Sequence, residues 1–198
     1  MNSSEKHNNL FPIFLKVDKL RVLIVGGGDV GSEKLRFLLK SSPFAKATVV
    51  ASKISDEINS LSIQHPNVTI ANREFRPDDL DGEDVVIIAT ENQELNHEIW
   101  AQAKEREILT NVADTPELCD FYLGSIVTKG DLKIAISTNG KSPTFAKRFR
   151  EFWEEALPDD LQEVIDNLNE IRSKLKGDFA HKIKTLNDLT SNLVSKHG

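Results

Sequence analysis

An α/β fold, a parallel sheet with helices on both faces, is predicted by three observations. Short apolar runs alternate with segments of helical periodicity from Leu20 to Ala113. The first run stops at three consecutive glycines, Gly26-Gly27-Gly28, and a helical pattern begins at once. The alternation then ends, giving way to two β runs and a wholly helical remainder. Strands that alternate with helices pair in parallel, because each crossover helix must pack back on the sheet.

Each element follows from its own pattern. "LRVLIV" (20–25) is a buried strand, and Leu35, Leu38 and Leu39 repeat at helical spacing within Val30–Lys40. "KATVVA" (46–51) is the second strand, and Ile54, Ile58 and Leu61 mark a short helix over 54–62. "NVTIA" (67–71), "EDVVIIA" (83–89) and "ILTNVA" (108–113) are the third, fourth and fifth strands. Leu95, Ile99 and Ala103 carry the helix before the fifth. "FYLGSIV" and "DLKIAIS" read as an antiparallel hairpin joined by Thr128-Lys129-Gly130. After Ser142 the pattern is helical: Leu161, Val164, Ile165, Leu168, Ile171 and Leu175 form one stripe, Gly177 is a stop, and Phe179, Ile183, Leu186, Leu189 and Leu193 form another.

Composition narrows the function classes. The chain has 198 residues, 39% of them hydrophobic, enough for a large domain with a helical extension. Its net charge of −6 argues against a nucleic-acid binder, which carries a basic face. Cys119 is the single cysteine, so neither an internal disulfide nor a thiolate metal cage is expected. His7, His65, His97, His181 and His197 show no ligand spacing, and no metal site is expected. The apolar runs are too short for a signal sequence or a membrane span, so a soluble cytoplasmic protein is expected.

Gly26-Gly27-Gly28-Asp29-Val30-Gly31 fits G-x-G-x-x-G between a strand and a helix, the context that a dinucleotide fingerprint requires. Gly26 permits the tight turn, Gly28 the approach of a pyrophosphate and Gly31 close packing of the helix. The helix N-terminus offers free N–H groups to the phosphates. The acid that NAD sites place after the second strand is missing; Ser52 and Lys53 stand there, so spacing leaves NAD and NADP both open. Asp114 closes the fifth strand at the sheet's carboxyl edge, where such folds bind ligands. It is either a general base or a cap for the turn before Thr115-Pro116. In "AISTNGKSPTFAKRFR" (135–150) a strand breaks at Asn139-Gly140 and a helix restarts at Ser142-Pro143. Ser142 suits a cap and Pro143 the first helical position. The cations that follow either meet an anion or balance Glu151, Glu154 and Glu155 on a solvated face.

Four separated segments resemble one family: "FPIFLKVDKLRVLIVGGGDVGSEK", "IIATENQELN", "NVADTPELCDFYLGSIV" and "LKIAISTNGKSPTFAKRFRE". They are similar to the siroheme synthase N-terminal module, which is precorrin-2 dehydrogenase, often with sirohydrochlorin ferrochelatase activity. The resemblance covers residues 11 to 155. It implies a Rossmann-type domain (1–113), a β dimerisation segment with a substrate loop (114–145) and a helical C-terminal domain (146–198). It implies NAD as cofactor, held by Gly26, Gly28, Asp29, Val30, Gly31, Ser52, Lys53 and Thr90. It implies Asp114 as the catalytic residue and a homodimer as the assembly. The expected stand-alone form has no methyltransferase domain.

Precorrin-2 is a reduced tetrapyrrole with eight carboxylates, and its oxidation to sirohydrochlorin passes a hydride to the nicotinamide and a proton to a base. A polyanionic macrocycle suits Thr138, Asn139, Gly140, Lys141, Ser142 and Arg148 as substrate contacts. If ferrous ion is inserted, it is a substrate held by the tetrapyrrole nitrogens. A dehydrogenase without chelatase activity is the alternative. A regulatory dinucleotide-binding module is more remote, since it would keep the acid after the second strand and need no "TNGKSP" loop. A short-chain reductase would need Tyr-x-x-x-Lys, but four residues beyond Tyr122 stands Ile126.

Overall fold

The computed structural model describes residues 8–177 and 179–191, which form two compact units. The first runs through Gly124 and takes in Ser137–Ser142; the second holds Ser125–Ile136 and the chain from Pro143. His7, His197 and Leu193 lie outside the described residues.

The first unit is a five-stranded parallel sheet. Its strands are β1 (Arg21–Val25), β2 (Lys46–Ala51), β3 (Val68–Asn72), β4 (Val85–Ile88) and β5 (Leu109–Val112), in the order β3-β2-β1-β4-β5. Val22–Val25 of β1 and all of β4 are buried, as expected of strands covered on both faces. Their side chains alternate. Leu23, Val25, Val86 and Ile88 pack on one face with Ile99 and Ala103 of α3 (Gln93–Glu105). Val22, Ile24, Val85 and Ile87 pack on the other with Leu35 and Leu39 of α1 (Asp29–Ser41) and Ile58 of α2 (Asp56–Gln64).

This order sets the crevice. The chain leaves β1 toward β2 and β3, then returns across β1 to β4, so the connections diverge between β1 and β4. Val22 pairs with Val85 and Val25 with Ile88, which brings the carboxyl ends of β1 and β4 side by side. Open α/β sheets bind ligands at this divergence.

The second unit starts with a hairpin, β6 (Ser125–Lys129) and β7 (Leu132–Ile136). The expected loop Thr128-Lys129-Gly130 and the expected start at Phe121 are both corrected. Lys129 pairs with Leu132, so Gly130-Asp131 is a two-residue turn, with Gly130 at φ 56° in the first central position that a type II′ turn reserves for glycine. Phe121 and Leu123 instead pack on the first unit's core. For the same reason that unit reaches Gly124, past the expected boundary at residue 113. Asp120 also ties the segment back, since Thr110 N–H and hydroxyl donate to its carboxylate at 2.8 and 2.9 Å.

Three helices complete the second unit: α4 (Pro143–Ala156), α5 (Leu161–Lys174) and α6 (Phe179–Thr190). Val127, Ile136 and Ala146 are its buried core, with Ile134, Trp153 and Leu157 against them. Gln162 of α5 accepts from Asp131 N–H at 2.7 Å and donates to the Asp131 carboxylate at 3.0 Å, which fastens the hairpin turn to the helix. No helix among the described residues is long and apolar enough to cross a membrane.

Glu83, just before β4, has one carboxylate oxygen buried without a hydrogen-bond partner. Burial raises its carboxyl above the usual range, against the pull of Arg21. The folded state therefore holds this proton more tightly than the unfolded chain does. Stability falls as pH rises from the ordinary carboxylate range through the raised folded value. Glu83→Gln should raise the melting temperature at neutral pH by about 2 °C. The gain should fade in acid below about pH 4, where the carboxyl is protonated in both states. Thermal unfolding of both proteins over that range is the check.

Candidate active site

Four glycines form the turn from β1 into α1, and three are demanded by the chain itself. A Cβ on Gly26 would lie 2.2 Å from Ala89 O, one on Gly27 2.1 Å from Lys53 O, and one on Gly31 2.0 Å from Gly26 O. Gly26 also sits at φ 127°, where side chains are not tolerated. Gly28 differs: its φ is −86°, and a Cβ there would meet nothing within 4 Å. Neither backbone strain nor packing calls for glycine at that position. The open space lies at the N-terminus of α1, whose first N–H groups have no intrahelical acceptor. These features fit a diphosphate against the turn. Val30 is 37% exposed on the first turn of this helix, and the Asp29 carboxylate also faces solvent.

The neighbouring strand ends complete the crevice wall. Ser52 and Lys53 are exposed after β2, with Lys53 O facing Gly27. With its amide nitrogen turned toward them, Asn72 donates to Ala51 O and Ser52 O at 3.2 and 3.1 Å, which fixes this bend. Thr90 follows β4; its hydroxyl donates to Asn96 Oδ1, and Asn96 Nδ2 donates back to Thr90 O at 3.0 Å. Asn96 is 7% exposed, so this pair is a fixed support for the β4 loop.

Asp114 stands one residue beyond Ala113, at φ 58°. Left-handed backbone is uncommon outside glycine, and aspartate is among the residues that tolerate it. The carboxylate is exposed, and among the described residues nothing bonds it. The loop beneath it is fixed. Cys119 Sγ accepts from Val112 N–H at 3.2 Å and donates to Val112 O or Thr115 O at 3.3 and 3.4 Å. Burial pushes the Cys119 thiol up, which keeps it a neutral donor. Burial also works to raise the Asp120 carboxyl, but the Lys104 ammonium and Thr110 outweigh it and hold it below the usual range. Asp114 is thus an unpartnered acid on a clamped loop, at the same edge of the sheet as the glycine turn.

Thr138–Lys141 is a built turn. Lys141 N–H donates to Thr138 O at 3.1 Å across Asn139 at φ 54° and Gly140 at φ 74°. Two successive positive φ values define a type I′ turn, the form Asn-Gly favours. Ser142 N–H donates to the Thr138 hydroxyl at 3.1 Å and Asn139 N–H to the Ser137 hydroxyl at 3.1 Å. Lys141 is exposed and has no partner among the described residues. This turn belongs to the first unit, whereas Arg148 lies on α4 in the second, 78% exposed by its side chain and bonded to Glu151 at 3.0 Å. Arg150 is held by Glu154 at 2.7 Å. The helix cations are therefore partly spent on the acids that follow them.

Sequence reasoning did not find Gly27, Ser32, Ser55 or Cys119. Gly27 was visible as the middle of three glycines, but the fingerprint leaves that place open. Cys119 acts through bonds across its own loop, and Ser32 lies 2.7 Å from Ser55 on a different segment, pairings that no periodic pattern records. No cluster of three or more His, Cys, Asp and Glu that could hold a metal occurs among the described residues.

Fold and crevice together define a dinucleotide-binding protein of the α/β class. The chain belongs to the siroheme synthase N-terminal module family. A family described as "Putative NAD(P)-binding" matches residues 13–125, and one described as "Sirohaem biosynthesis protein central" matches residues 129–152. Siroheme synthase of Nitrosomonas europaea is 33% identical over 171 residues, 86% of this chain and 36% of that protein. Siroheme synthase of Psychrobacter cryohalolentis is 37% identical over 181 residues, 90% of this chain and 33% of that one. The chain spans about a third of the length of these relatives. A solved structure of SirC, a precorrin-2 dehydrogenase, superposes with a TM-score of 0.75 at 23% identity, covering 94% of this chain and 90% of that one, a likeness of fold.

The glycines should separate on substitution. Gly31→Ala should lose folded protein or melt well below wild type, because its Cβ would strike Gly26 O. Gly28→Asp should melt near wild type yet lose dinucleotide binding, through charge and bulk in the open space. Calorimetry with NAD, beside thermal melts of both variants, makes the comparison; a Gly28→Asp protein that binds normally would remove the phosphate from this turn.

Proposed function

We propose that the protein oxidises precorrin-2 to sirohydrochlorin, with NAD as hydride acceptor. The observation that carries this reading is the pairing, on one sheet edge, of an open glycine turn with the unpartnered Asp114 carboxylate. NAD, when bound, accepts the hydride. The turn at Gly26–Gly31 holds the diphosphate, Val30 offers an apolar surface beside it, and Thr90 shapes the crevice at β4. The end of β2 carries Ser52 and Lys53 in place of the acid typical of NAD sites, so NAD is read here from the family resemblance, with these two residues near the ribose.

Asp114 takes the proton that leaves with the hydride. Its carboxylate has no competing partner among the described residues, and its loop is pinned by Cys119 and Asp120, so it is presented without reorganisation. The Thr138–Ser142 turn, with the exposed Lys141 ammonium, suits the acetate and propionate arms. In a chelatase reaction ferrous ion would be a substrate, and the same carboxylate would receive protons from the macrocycle nitrogens.

A second copy of the chain is the proposed partner. A two-stranded hairpin such as β6–β7 is marginal by itself. Phe145, Phe149 and Phe152 are 59%, 38% and 57% exposed along α4, and an isologous pair is the commonest way to cover such a face. Light scattering should report a dimer at micromolar concentration.

Anaerobic assay of purified protein with precorrin-2 and NAD or NADP, then with sirohydrochlorin and ferrous ion, tests the reading directly. Asp114→Asn should lower kcat by about 10²–10⁴-fold with NAD affinity unchanged. Asparagine tolerates the left-handed backbone there, so the fold should persist. Lys141→Ala should instead raise KM for the tetrapyrrole, an effect that added salt should mimic. A full-rate Asp114→Asn enzyme would leave Asp114 as a turn residue only.

A further inference from the structure

Ser32 and Ser55 lie outside the glycine motif, yet they are joined to it by an ordered set of hydrogen bonds. Ser32 is on α1 and 1% exposed. Its hydroxyl donates to Gly28 O at 2.9 Å and lies 2.7 Å from the Ser55 hydroxyl. A serine has one hydroxyl proton, so with Ser32 committed to Gly28 O, Ser55 is the donor between them. Ser55, the N-cap of α2, accepts in turn from Ile58 N–H at 3.2 Å. The chain therefore runs one way, from Ile58 N–H through Ser55 and Ser32 to Gly28 O. Two backbone bonds run beside it: Ser32 N–H donates to Gly28 O and Ser55 N–H to Gly27 O, both at 2.9 Å.

These bonds decide which way two peptide units face. The Gly27 and Gly28 carbonyls are both held on the protein side. No peptide bond among the described residues is cis, and a trans peptide directs its N–H opposite its C=O. The N–H groups of Gly28 and Asp29 are thereby turned away from Ser55 and Ser32, at the position where a Cβ on Gly28 meets nothing within 4 Å. A carbonyl rotated into that space would repel an anion, and the serine pair prevents the rotation. We infer that Ser32, working with Ser55, is a positioning residue that aims the Gly28 and Asp29 N–H groups at the cofactor's diphosphate. This rests on the dinucleotide reading of the site, and it adds the β2–α2 loop to the machinery of that turn.

The test compares full-length wild type, Ser32→Ala and Ser55→Gly by calorimetry with NAD, ADP and adenosine. Glycine is well tolerated at a helix N-cap, so Ser55→Gly removes the hydroxyl while keeping α2, and it carries the test if Ser32→Ala does not fold. Losing one such bond should weaken NAD and ADP binding by about 5–10-fold, and adenosine, which lacks the diphosphate, by less than about twofold. kcat at saturating NAD should be unchanged, with the loss seen in KM for NAD. Unaltered NAD affinity in the folded variants, or equal weakening of ADP and adenosine, would overturn the inference. Wild type that binds no NAD would instead overturn the dinucleotide reading itself.

Discussion

The close backbone approach between the ends of β1 and β4 is the constraint on which the remaining architecture depends. Gly26 meets Ala89 O so closely that no side chain fits, and Gly31 meets Gly26 O in the same way. These contacts bring α1 down on the sheet and set its N-terminus at the point where the strand order diverges. The crevice is thus a by-product of packing, formed by the same glycines that let the sheet close. β5 lies beside β4 in register, so Asp114 comes to the edge that the glycine turn occupies.

Most of the first unit was legible in the sequence because its signals are local. Apolar runs buried on both faces and a glycine cluster between strand and helix survive without knowledge of the partner strands. The hairpin register was not legible. Phe121 and Leu123 continue the β pattern of Ile126 and Val127, but they are drawn into the first unit's core, and only the tertiary fold separates the two sets. The place of Asp114 at the end of β5 was legible by position, whereas its left-handed backbone and the Cys119 and Asp120 bonds that hold the loop around it are not contained in a one-dimensional pattern. Arg148 shows the opposite case: a cation conspicuous in the sequence has Glu151, three residues on, as its partner.

The two units differ in how they are held. The first has apolar clusters on both faces of its sheet, with β1 and β4 almost wholly shielded. The second has a small core, and neither α5 nor α6 contains a buried residue. Three of its phenylalanine rings are instead stacked along the surface of α4, with Phe145 and Phe149 centroids 5.7 Å apart and Phe149 and Phe152 6.1 Å apart. Apolar surface arranged in a row is uncommon on isolated domains and usual where another surface covers it.

The pairing of Val22 with Val85 carries a kinetic consequence. β1 and β4 meet only by closing a loop that carries α1, β2, α2 and β3, and the entropy of closing that loop is lost before the contact repays it. The β6–β7 hairpin closes over two residues and needs no such search. Hairpin and sheet therefore form on different clocks. The crevice, which exists only once β1 and β4 are adjacent, belongs to the slower of the two.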